Sequence, residues 1–418
     1  MNMNSLSIQL LLIFCMNFSC KNSNTKDIND KPKVNTINIP NIDNEEDLKT
    51  KKITIDHQII NKSASDSTKQ TTTTKDIYNV KHNREKTLKK AYEQFFPIGT
   101  AINPQYDLND PTKRQLIISN FASITPKTAL QPLMIQPREH VFKWAKADSV
   151  VDFATANHLK VRGHCLIYYR HMPKWFFKEG GQLVSKSTLL QRMKDHITAE
   201  VSRYKGRVYA WDVVNEAMAN GNNQFWPIDT LYQVIGSDYV AKAFQFAREA
   251  DPKAKLFYND QFDDATKRDK IYNFLKTLKK AGVPIDGIGM ETHIGIEGIS
   301  ASFLDESINM FHALGLEVQI TELDVSIYRR KNRKLFIEVN EDFTPDIELR
   351  QRAIYKTVFS TCLKNKDKVS GITLWGYADT DDLSIIKVYG KKNYPLLFDR
   401  NLQPKKVLID IIDLPAAY

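Results

Sequence analysis

Cysteine is scarce in this sequence of 418 residues. The four cysteines are Cys15, Cys20, Cys165 and Cys362. Two stand near the N-terminus, and the other two lie far apart with no metal-ligand spacing. The pattern supports neither a disulfide scaffold nor a cysteine-bound metal site. Hydrophobic residues make up 42% of the chain, enough to bury a large core, so that core must stabilise the fold by itself.

A hydrophobic run long enough to span a bilayer is missing from the N-terminus. The apolar stretch Leu6–Phe14 is too short to do so. It leads into Ser19-Cys20, and a small residue before a cysteine at the end of such a run resembles a bacterial lipoprotein signal. Cleavage there would leave the Cys20 thiol to carry lipid. An ordinary signal peptide with an incidental cysteine is the alternative, and the leader has no Lys or Arg before its apolar run.

Runs of Lys and Arg interleaved with aromatic residues are also absent. The sequence therefore predicts no nucleic-acid groove. The formal net charge is nevertheless +10, which would favour acidic partners. A solvated basic surface is the alternative explanation.

Large apolar residues are sparse between positions 21 and 83. This stretch is rich in Asn, Lys, Asp, Ser and Thr and contains four consecutive threonines, Thr71–Thr74. Such a composition is typical of a disordered tether. We therefore predict a signal peptide at 1–20, a disordered linker at 21–83 and a folded domain at 84–418. The protein is expected to be secreted and held by lipid at a bacterial cell surface or in the periplasm.

From about residue 84, short apolar runs of strand character alternate with amphipathic helical stretches. Eight alternations over this length favour a (β/α)₈ barrel. A doubly wound sheet is the rival fold, but no glycine-rich phosphate fingerprint follows the first strand. The predicted strands are Phe96–Ala101, Ile118–Ile124, Lys160–Ile167, Val208–Val214, Lys255–Asn259, Gly287–Thr292, Glu317–Thr321 and Gly371–Trp375. The predicted helices are Trp144–His158, Thr188–Tyr204, Tyr239–Ala250, Lys267–Ala281, Ala301–Leu314 and Glu348–Leu363.

Carboxylates follow two of these predicted strands. Glu216 lies two positions after the fourth strand, and Glu322 and Asp324 lie one and three positions after the seventh. Barrel active sites lie at the carboxyl ends of the strands, where one such Glu would more often cap a helix or form an ion pair. Two carboxyls facing one another across a barrel mouth are what glycosidic cleavage needs, since one donates a proton and the other attacks or activates water.

Seven motifs occur in order at the spacing of barrel strands. They are Arg162-Gly163-His164, Trp211–Glu216, Tyr258-Asn259-Asp260, Asp286–His293, Ile320–Asp324, Gly371–Gly376 and Pro395–Asp399. With these motifs the chain resembles glycoside hydrolase family 10, whose typical members are endo-β-1,4-xylanases. The resemblance runs from about Phe96 to the C-terminus.

The resemblance implies a role for each matching residue. Glu216 matches the acid/base and Glu322 the nucleophile of a retaining hydrolase. His293 and Asp324 match contacts that orient the nucleophile and keep it ionised. Four further positions match contacts to the sugar: Asn215, His164, Asn259 and, as an aromatic platform, Trp375.

The departures from the family lie on the substrate side. The family's Glu-Asn-Glu-Met-Lys stretch becomes Lys127-Thr128-Ala129-Leu130-Gln131, its Trp-His pair becomes Tyr168-Tyr169, one Gln becomes His171, another becomes Glu291, and Leu383 lies near the place of a missing Trp. We therefore expect a working enzyme whose substrate contacts include Lys127, Gln131, Tyr168, His171 and Glu291. The added cation at Lys127, together with Arg170 after the third strand, favours a glycan with acidic decoration, such as a glucuronate-substituted xylan. The alternative is that Lys127 pairs with Glu291 or a neighbouring acid and does not contact sugar.

Two other functions fit less well. One is a non-catalytic carbohydrate-binding barrel displayed at a cell surface. The other is a metalloenzyme that uses His164 and His293, but these histidines come from separate strands and no His-x-x-x-His pair supports a site. We expect no metal and no cofactor, a polysaccharide as the partner, no contact with a membrane except through the lipid anchor, and a monomer.

Overall fold

The computed structural model describes residues 86–418, except 221–223, 228, 263, 332–333, 337–341 and 381–390. The signal segment with Cys20, the linker at 21–83 and Leu383 lie outside the described residues. No helix in the described ranges is both long and apolar enough to cross a membrane.

Eight parallel strands close into a barrel, and this confirms the predicted (β/α)₈ fold. The strands are β1 (Ile98–Ile102), β2 (Ser123–Pro126), β3 (Lys160–Ile167), β4 (Val208–Asn215), β5 (Lys255–Gln261), β6 (Gly287–Ile294), β7 (Glu317–Val325) and β8 (Val369–Leu374). Around the barrel the order is β1-β8-β7-β6-β5-β4-β3-β2. The ring closes where β1 pairs with β8, with Ile98 opposite Ile372.

A main helix follows every strand. These helices are α1 (Pro111–Asn120), α2 (Ala145–Ala156), α3 (Lys186–Arg203), α4 (Asp238–Ala250), α5 (Ala265–Lys280), α6 (Ala301–His312), α7 (Pro345–Lys364) and α8 (Lys406–Asp413). Shorter helices are Leu88–Ala91, Pro104–Asp107, Pro132–Ile135 and Thr230–Ile235, and 3₁₀ turns span Tyr169–His171, Lys174–Phe176 and Leu414–Ala417. Two small hairpins pair Lys178–Glu179 with Gln182–Leu183 and Arg329–Lys331 with Lys334–Phe336.

The helices cover the outside of the barrel with one apolar face each. In α4, Tyr239, Val240, Ala243, Phe244 and Ala247 are buried, which is the three-to-four-residue spacing of one helix face. Because helices cover the outer surface and side chains fill the interior, the strands are buried on both faces. All five residues of β1 are buried.

The prediction of a strand at Ile118–Ile124 is wrong. Residues 118–120 form the last turn of α1, and β2 begins only at Ser123. The helix begins at Pro111, after Asp110, whose side chain accepts a hydrogen bond from the amide of Thr112 at 2.8 Å. This cap and the proline at the first helical position are the signals of a helix start. The apolar run in α1 has a strand-like composition, but the capped start upstream of it determines the structure.

The third and fourth strands approach one another closely at Gly163. A β-carbon at this position would lie 2.1 Å from Cε3 of Trp211, so only glycine leaves room for the buried indole. The packing of Trp211 against the glycine fixes the register of β3 beside β4, where Gly163 lies opposite Trp211. The next residue on each strand, His164 and Asp212, then face one another at the upper end of the barrel.

Candidate active site

The two predicted catalytic glutamates lie at the carboxyl ends of β4 and β7. Glu216 follows the last residue of β4, and Glu322 lies in the last four residues of β7. Each residue is 6% exposed. Both have left-handed backbones, with φ of 52° and 59°. Non-glycine residues in this region are uncommon and concentrate at functional sites, because the surrounding structure must hold them there.

A histidine links the carboxylate of Glu322 to a second acid. His293 Nε2 donates to Glu322 Oε2 at 3.1 Å, and His293 Nδ1 donates to Asp324 Oδ2 at 2.6 Å. Since both partners are carboxylates, both ring nitrogens donate. His293 and Asp324 therefore lie next to Glu322, as their strand-end positions predict.

The surroundings of His293 determine its charge. Burial alone would lower its pKa, but the charge of Asp324 and the hydrogen bonds from His293 to Asp324 and Glu322 outweigh burial and raise the pKa to about 9. The imidazolium therefore persists at neutral pH. It places one positive charge directly against an oxygen of Glu322.

Asn259 on β5 connects the two glutamates. Its backbone carbonyl accepts from the amide of Glu216 at 2.8 Å. Its Nδ2 carries two hydrogens, which are shared among three acceptors within hydrogen-bond distance: Asn215 Oδ1 at 2.8 Å, Glu322 Oε1 at 3.0 Å and Glu291 Oε1 at 3.0 Å. Each oxygen of Glu322 thus faces one donor, Asn259 or His293.

The side chain of Asn259, which is predicted to contact the sugar, is bonded to neighbouring protein groups. Its side chain is fully buried, and its Oδ1 accepts from the hydroxyl of Thr321 at 2.7 Å. With every polar atom of the side chain bonded to protein, Asn259 holds other residues in place. Asn215 accepts a hydrogen bond from the side-chain amide of Asn259. It lies at the end of β4 beside Glu216 and remains a candidate for a sugar contact.

A second buried chain of charges supports His164. Arg162 donates two hydrogen bonds to Asp212, and His164 Nδ1 donates to Asp212 Oδ2 at 3.0 Å. Burial would raise the pKa of Asp212, yet the charge of Arg162 and the bond from His164 hold that pKa below its usual value. The ionised Asp212 fixes the orientation of the His164 ring, whose Nδ1 lies 4.0 Å from Glu322 Oε1.

Trp375 forms a wall of the same site. Its ring meets His164 edge-on at 5.3 Å between centroids and His293 at 6.1 Å. The indole directly follows β8 and is only partly buried. An apolar ring in that position suits the C–H face of a sugar. Residues of β3, β4, β6, β7 and β8 therefore converge on one point at the mouth of the barrel.

Comparison with known proteins agrees with this geometry. Residues 87–414 match the family model of glycosyl hydrolase family 10. The chain belongs to glycosyl hydrolase family 10. A β-1,4-xylanase of Dictyoglomus thermophilum is 40% identical over 78% of this chain and 90% of the relative. Endo-1,4-beta-xylanase B of Paenibacillus barcinonensis is 36% identical over 76% of this chain and 95% of the relative. The solved structure of a GH10 endoxylanase retrieved from a sugarcane soil metagenome superposes with a TM-score of 0.74, at 35% identity, covering 79% of this chain and 99% of that one.

The residues at which this family 10 chain departs from the usual pattern lie in two groups. In the first group, Lys127 is partly buried and holds its Nζ 5.9 Å from the centre of the Trp375 ring. Gln131 is buried, and its Nε2 donates to the backbone carbonyl of Lys127 at 3.2 Å. Lys127 therefore places a positive charge beside the Trp375 ring. Gln131 holds the backbone of Lys127 through the hydrogen bond to its carbonyl.

The second group follows β3. The ring of Tyr168 is nearly buried and meets the His171 ring edge-on at 4.8 Å. Burial, together with the nearby charge of His164, lowers the pKa of His171, so this ring is neutral at neutral pH. Arg170 is exposed, and its Nε donates to the hydroxyl of Tyr169 at 2.8 Å. Tyr168 and His171 therefore form a fixed wall with an exposed guanidinium beside it.

Glu291 lies beside Glu322, on the neighbouring strand β6. Ligand atoms of Glu291, His293 and Glu322 all lie within 4.8 Å of one another, a spacing that a metal ion could use. Both nitrogens of His293 donate hydrogen bonds, however, so the ring offers no lone pair in this state. The imidazolium already supplies the positive charge between the carboxylates.

Sequence reasoning did not assign roles to Arg162 and Asp212. Both stand in motifs quoted for the family resemblance, but a motif does not show which partner a side chain meets. The signal that was available is a charged residue within an otherwise apolar strand, since such a residue needs a buried counter-charge.

The raised pKa of His293 makes a testable contribution to stability. A histidine with a pKa of 6.5 in the unfolded chain and about 9 in the folded protein stabilises the fold fully below pH 6.5. That contribution, on the order of 3 kcal/mol, is lost as the pH rises towards 9. Urea unfolding of the parent and of His293→Gln should therefore show a difference in unfolding free energy that shrinks from pH 6 to pH 9.5. A constant difference across this range would contradict the assigned charge.

Proposed function

We propose that this protein is a retaining endo-β-1,4-xylanase. The observation that carries the proposal is the pair of buried glutamates at the ends of β4 and β7, linked through Asn259, with a donor on each oxygen of Glu322. Glycosidic cleavage with retention needs one carboxylic acid and one carboxylate about 5–5.5 Å apart on either side of the sugar. The relatives named above, which match over most of their own length, are xylanases.

The residues have distinct roles in the two proposed steps. In the first step Glu322 attacks the anomeric carbon while Glu216 protonates the departing glycosidic oxygen, and a covalent glycosyl-enzyme ester forms. In the second step Glu216 removes a proton from water, which attacks the same carbon and releases Glu322 as a carboxylate. Asn215 binds the hydroxyl next to the reacting carbon, a contact that strengthens in the transition state. His164 and Trp375 hold the same sugar ring.

Product analysis on linear xylan tests this function. Proton NMR of the first products should show the β anomer before mutarotation, and the early products should be a mixture of oligosaccharides. A first-formed α anomer would contradict the retaining mechanism. The protein could instead bind xylan without producing new reducing ends and release no phenol from an activated aryl β-xyloside. That result would support a non-catalytic carbohydrate-binding barrel.

The substrate is further proposed to carry acidic groups. Lys127 lies over the Trp375 platform and, among the described residues, forms no ion pair within 4 Å, and Arg170 is exposed on the loop after β3. A guanidinium binds a carboxylate with two parallel hydrogen bonds, and an ammonium binds it as a point charge. A glucuronate on the xylan chain supplies such a carboxylate.

A pair of matched polymers tests the acidic preference. We expect kcat/KM to be several-fold higher on glucuronoxylan than on its carboxyl-reduced form, because only the first offers a charge to Lys127 and Arg170. The ratio should fall between 0.1 M and 1 M salt, as the Debye length contracts from about 10 Å to about 3 Å. Lys127→Ala and Arg170→Ala should each lower the ratio, while Lys276→Ala, an exposed lysine of α5, should not. Equal kcat/KM values on both polymers would contradict the acidic preference and indicate an enzyme that acts on neutral xylan.

The N-terminus is proposed to be a lipoprotein signal, with lipid on Cys20. This rests on the sequence alone, since position 20 lies outside the described residues. We expect Cys20→Ser to move the protein from the membrane fraction to the soluble fraction, while the specific activity of the released protein stays unchanged. The matched control is Cys15→Ser, which should leave the protein in the membrane fraction. Parental protein found wholly in the culture medium would contradict the anchor.

A further inference from the structure

A buried carboxylate holds the backbone of the segment 216–220, which begins with Glu216. Asp260 on β5 is fully buried, and its Oδ2 accepts from the backbone amide of Met218 at 3.2 Å. The same oxygen accepts from the hydroxyl of Tyr258 at 2.6 Å. Met218 is only two residues from Glu216, so the position of Asp260 bears directly on where the backbone of the catalytic glutamate lies.

A lysine from the following helix completes this arrangement. Lys267, in the first turn of α5, has a side chain only 3% exposed. Its Nζ lies 2.7 Å from Asp260 Oδ1 and donates to Asn220 Oδ1 at 2.6 Å. The backbone amide of Lys267 is itself fixed, because it donates to the side chain of Asp264 at 2.9 Å, which caps the helix. One ammonium thus bridges β5 and the far end of the 216–220 segment.

The stability of the fold alone does not account for this bridge. Taking an ammonium and a carboxylate out of water costs several kcal/mol per ion, and apolar residues of similar volume often stabilise a core equally well. What the ion pair adds is direction, because the ammonium satisfies Asp260 and Asn220 only when both stand at fixed positions. Asp260 holds the segment at the amide of Met218, and Lys267 holds its end at the side chain of Asn220.

We propose that Lys267 is a positioning residue that fixes the acid/base Glu216 through Asp260 and Asn220. The inference rests on the proposed function, since it presupposes that Glu216 donates the proton. A general acid works only within hydrogen-bond reach of the leaving oxygen, and a displacement of about 1 Å can cost roughly a hundredfold in rate. Loss of Lys267 should therefore impair protonation of the leaving group and leave attack by Glu322 unaltered.

A series of aryl β-xylobiosides separates this role from a purely structural one. The leaving groups run from dinitrophenol, which departs without protonation, to phenol, which needs it. We would measure kcat/KM for the parent, Lys267→Met, Asn220→Ala and Glu216→Gln, each corrected for the fraction of active enzyme by burst titration. Lys276→Met, on an exposed face of the same helix, is the matched control for lost charge.

The expected result is a steeper dependence on the leaving group. Lys267→Met should lose roughly tenfold to a hundredfold on the phenyl glycoside and little on the dinitrophenyl glycoside. Asn220→Ala, which keeps the ion pair, should show the same trend to a smaller degree, and Lys276→Met should match the parent. Should Lys267→Met fail to fold, the leaving-group trend of Asn220→Ala decides the question alone.

Two results have separate meanings. An equal loss on every leaving group in Lys267→Met, or no trend in Asn220→Ala, would overturn the positioning role while the steep trend of Glu216→Gln keeps the proposed function intact. A Glu216→Gln variant that shows no dependence on the leaving group would overturn the assignment of the acid/base itself.

Discussion

Glu322→Gln is expected to lower kcat on xylan by at least two to four orders of magnitude, the range for loss of an essential catalytic group. The amide keeps the size of the side chain and can still meet His293, but it cannot form the glycosyl ester. The loss should be equally large on activated and unactivated substrates, because the nucleophile is needed for both. The measurement is initial rate on xylan and on dinitrophenyl β-xylobioside.

Azide distinguishes this loss from misfolding. In Glu322→Ala, whose shorter side chain leaves room for a small anion, azide should attack the sugar directly and yield the α-glycosyl azide, with inverted configuration. Glu249→Gln, an exposed acid on α4, is the matched control and should retain parental rates. Near-parental turnover in Glu322→Gln would remove this residue from the mechanism.

Glu216→Gln is expected to show a different pattern. On xylan the loss should again reach two to four orders of magnitude, because the sugar leaving group needs a proton. On the dinitrophenyl glycoside the first step should survive while the second stalls, since no base activates water. A burst of dinitrophenol followed by a slow phase is the kinetic signature.

Azide again reports on the missing group. It needs no general base, so it should accelerate the second step of the Glu216→Gln variant and release the β-glycosyl azide with retained configuration. An α product from this variant, or the absence of a burst, would show that Glu216 and Glu322 do not have the roles assigned to them.

Much of the fold follows from local pattern. The strand β3 has the predicted bounds, Lys160–Ile167, since a charged residue begins it and a largely apolar, buried run forms it. The strands β5, β6 and β7 run two to four residues beyond the predicted ends, because polar residues such as Asp260, His293 and Asp324 continue the ladder. Local hydrophobicity does not predict these extensions, which depend on partners in neighbouring strands.

Local hydrophobicity also fails to predict two of the helices. Six of the eight main helices were predicted to within a few residues, whereas α1 and α8 were missed. In α1 only Ile117 is buried, so its sequence lacks the apolar stripe by which a helix is recognised.

In the candidate site, residue positions could be predicted from the sequence, but several side-chain contacts could not. Glu216, Glu322, His293 and Asp324 were predicted from position at strand ends and from family motifs. The structure joins Glu322, His293 and Asp324 by hydrogen bonds and connects Glu216 to Glu322 through Asn259. The contacts from Asn259 to Glu291 and Glu322 and from Lys267 to Asn220 could not be predicted, because each joins residues more than thirty positions apart and depends on the register of the closed barrel. Spacing places a residue at the barrel mouth, but the packing of its neighbours determines whether it meets the sugar or holds another side chain.

Trapping of the covalent intermediate tests the catalytic assignment most directly. A 2-deoxy-2-fluoro β-xylobioside with a dinitrophenyl leaving group slows both steps by destabilising the oxocarbenium-like transition state, while the leaving group keeps the first step fast enough for the ester to accumulate. Mass spectrometry of the intact protein should show one added fluoroxylobiosyl group. Peptide mapping should place that group on Glu322, and Glu322→Gln should remain unlabelled. A label on Glu216 or Glu291, or inactivation without any covalent label, would contradict the assignment of Glu322 as the nucleophile.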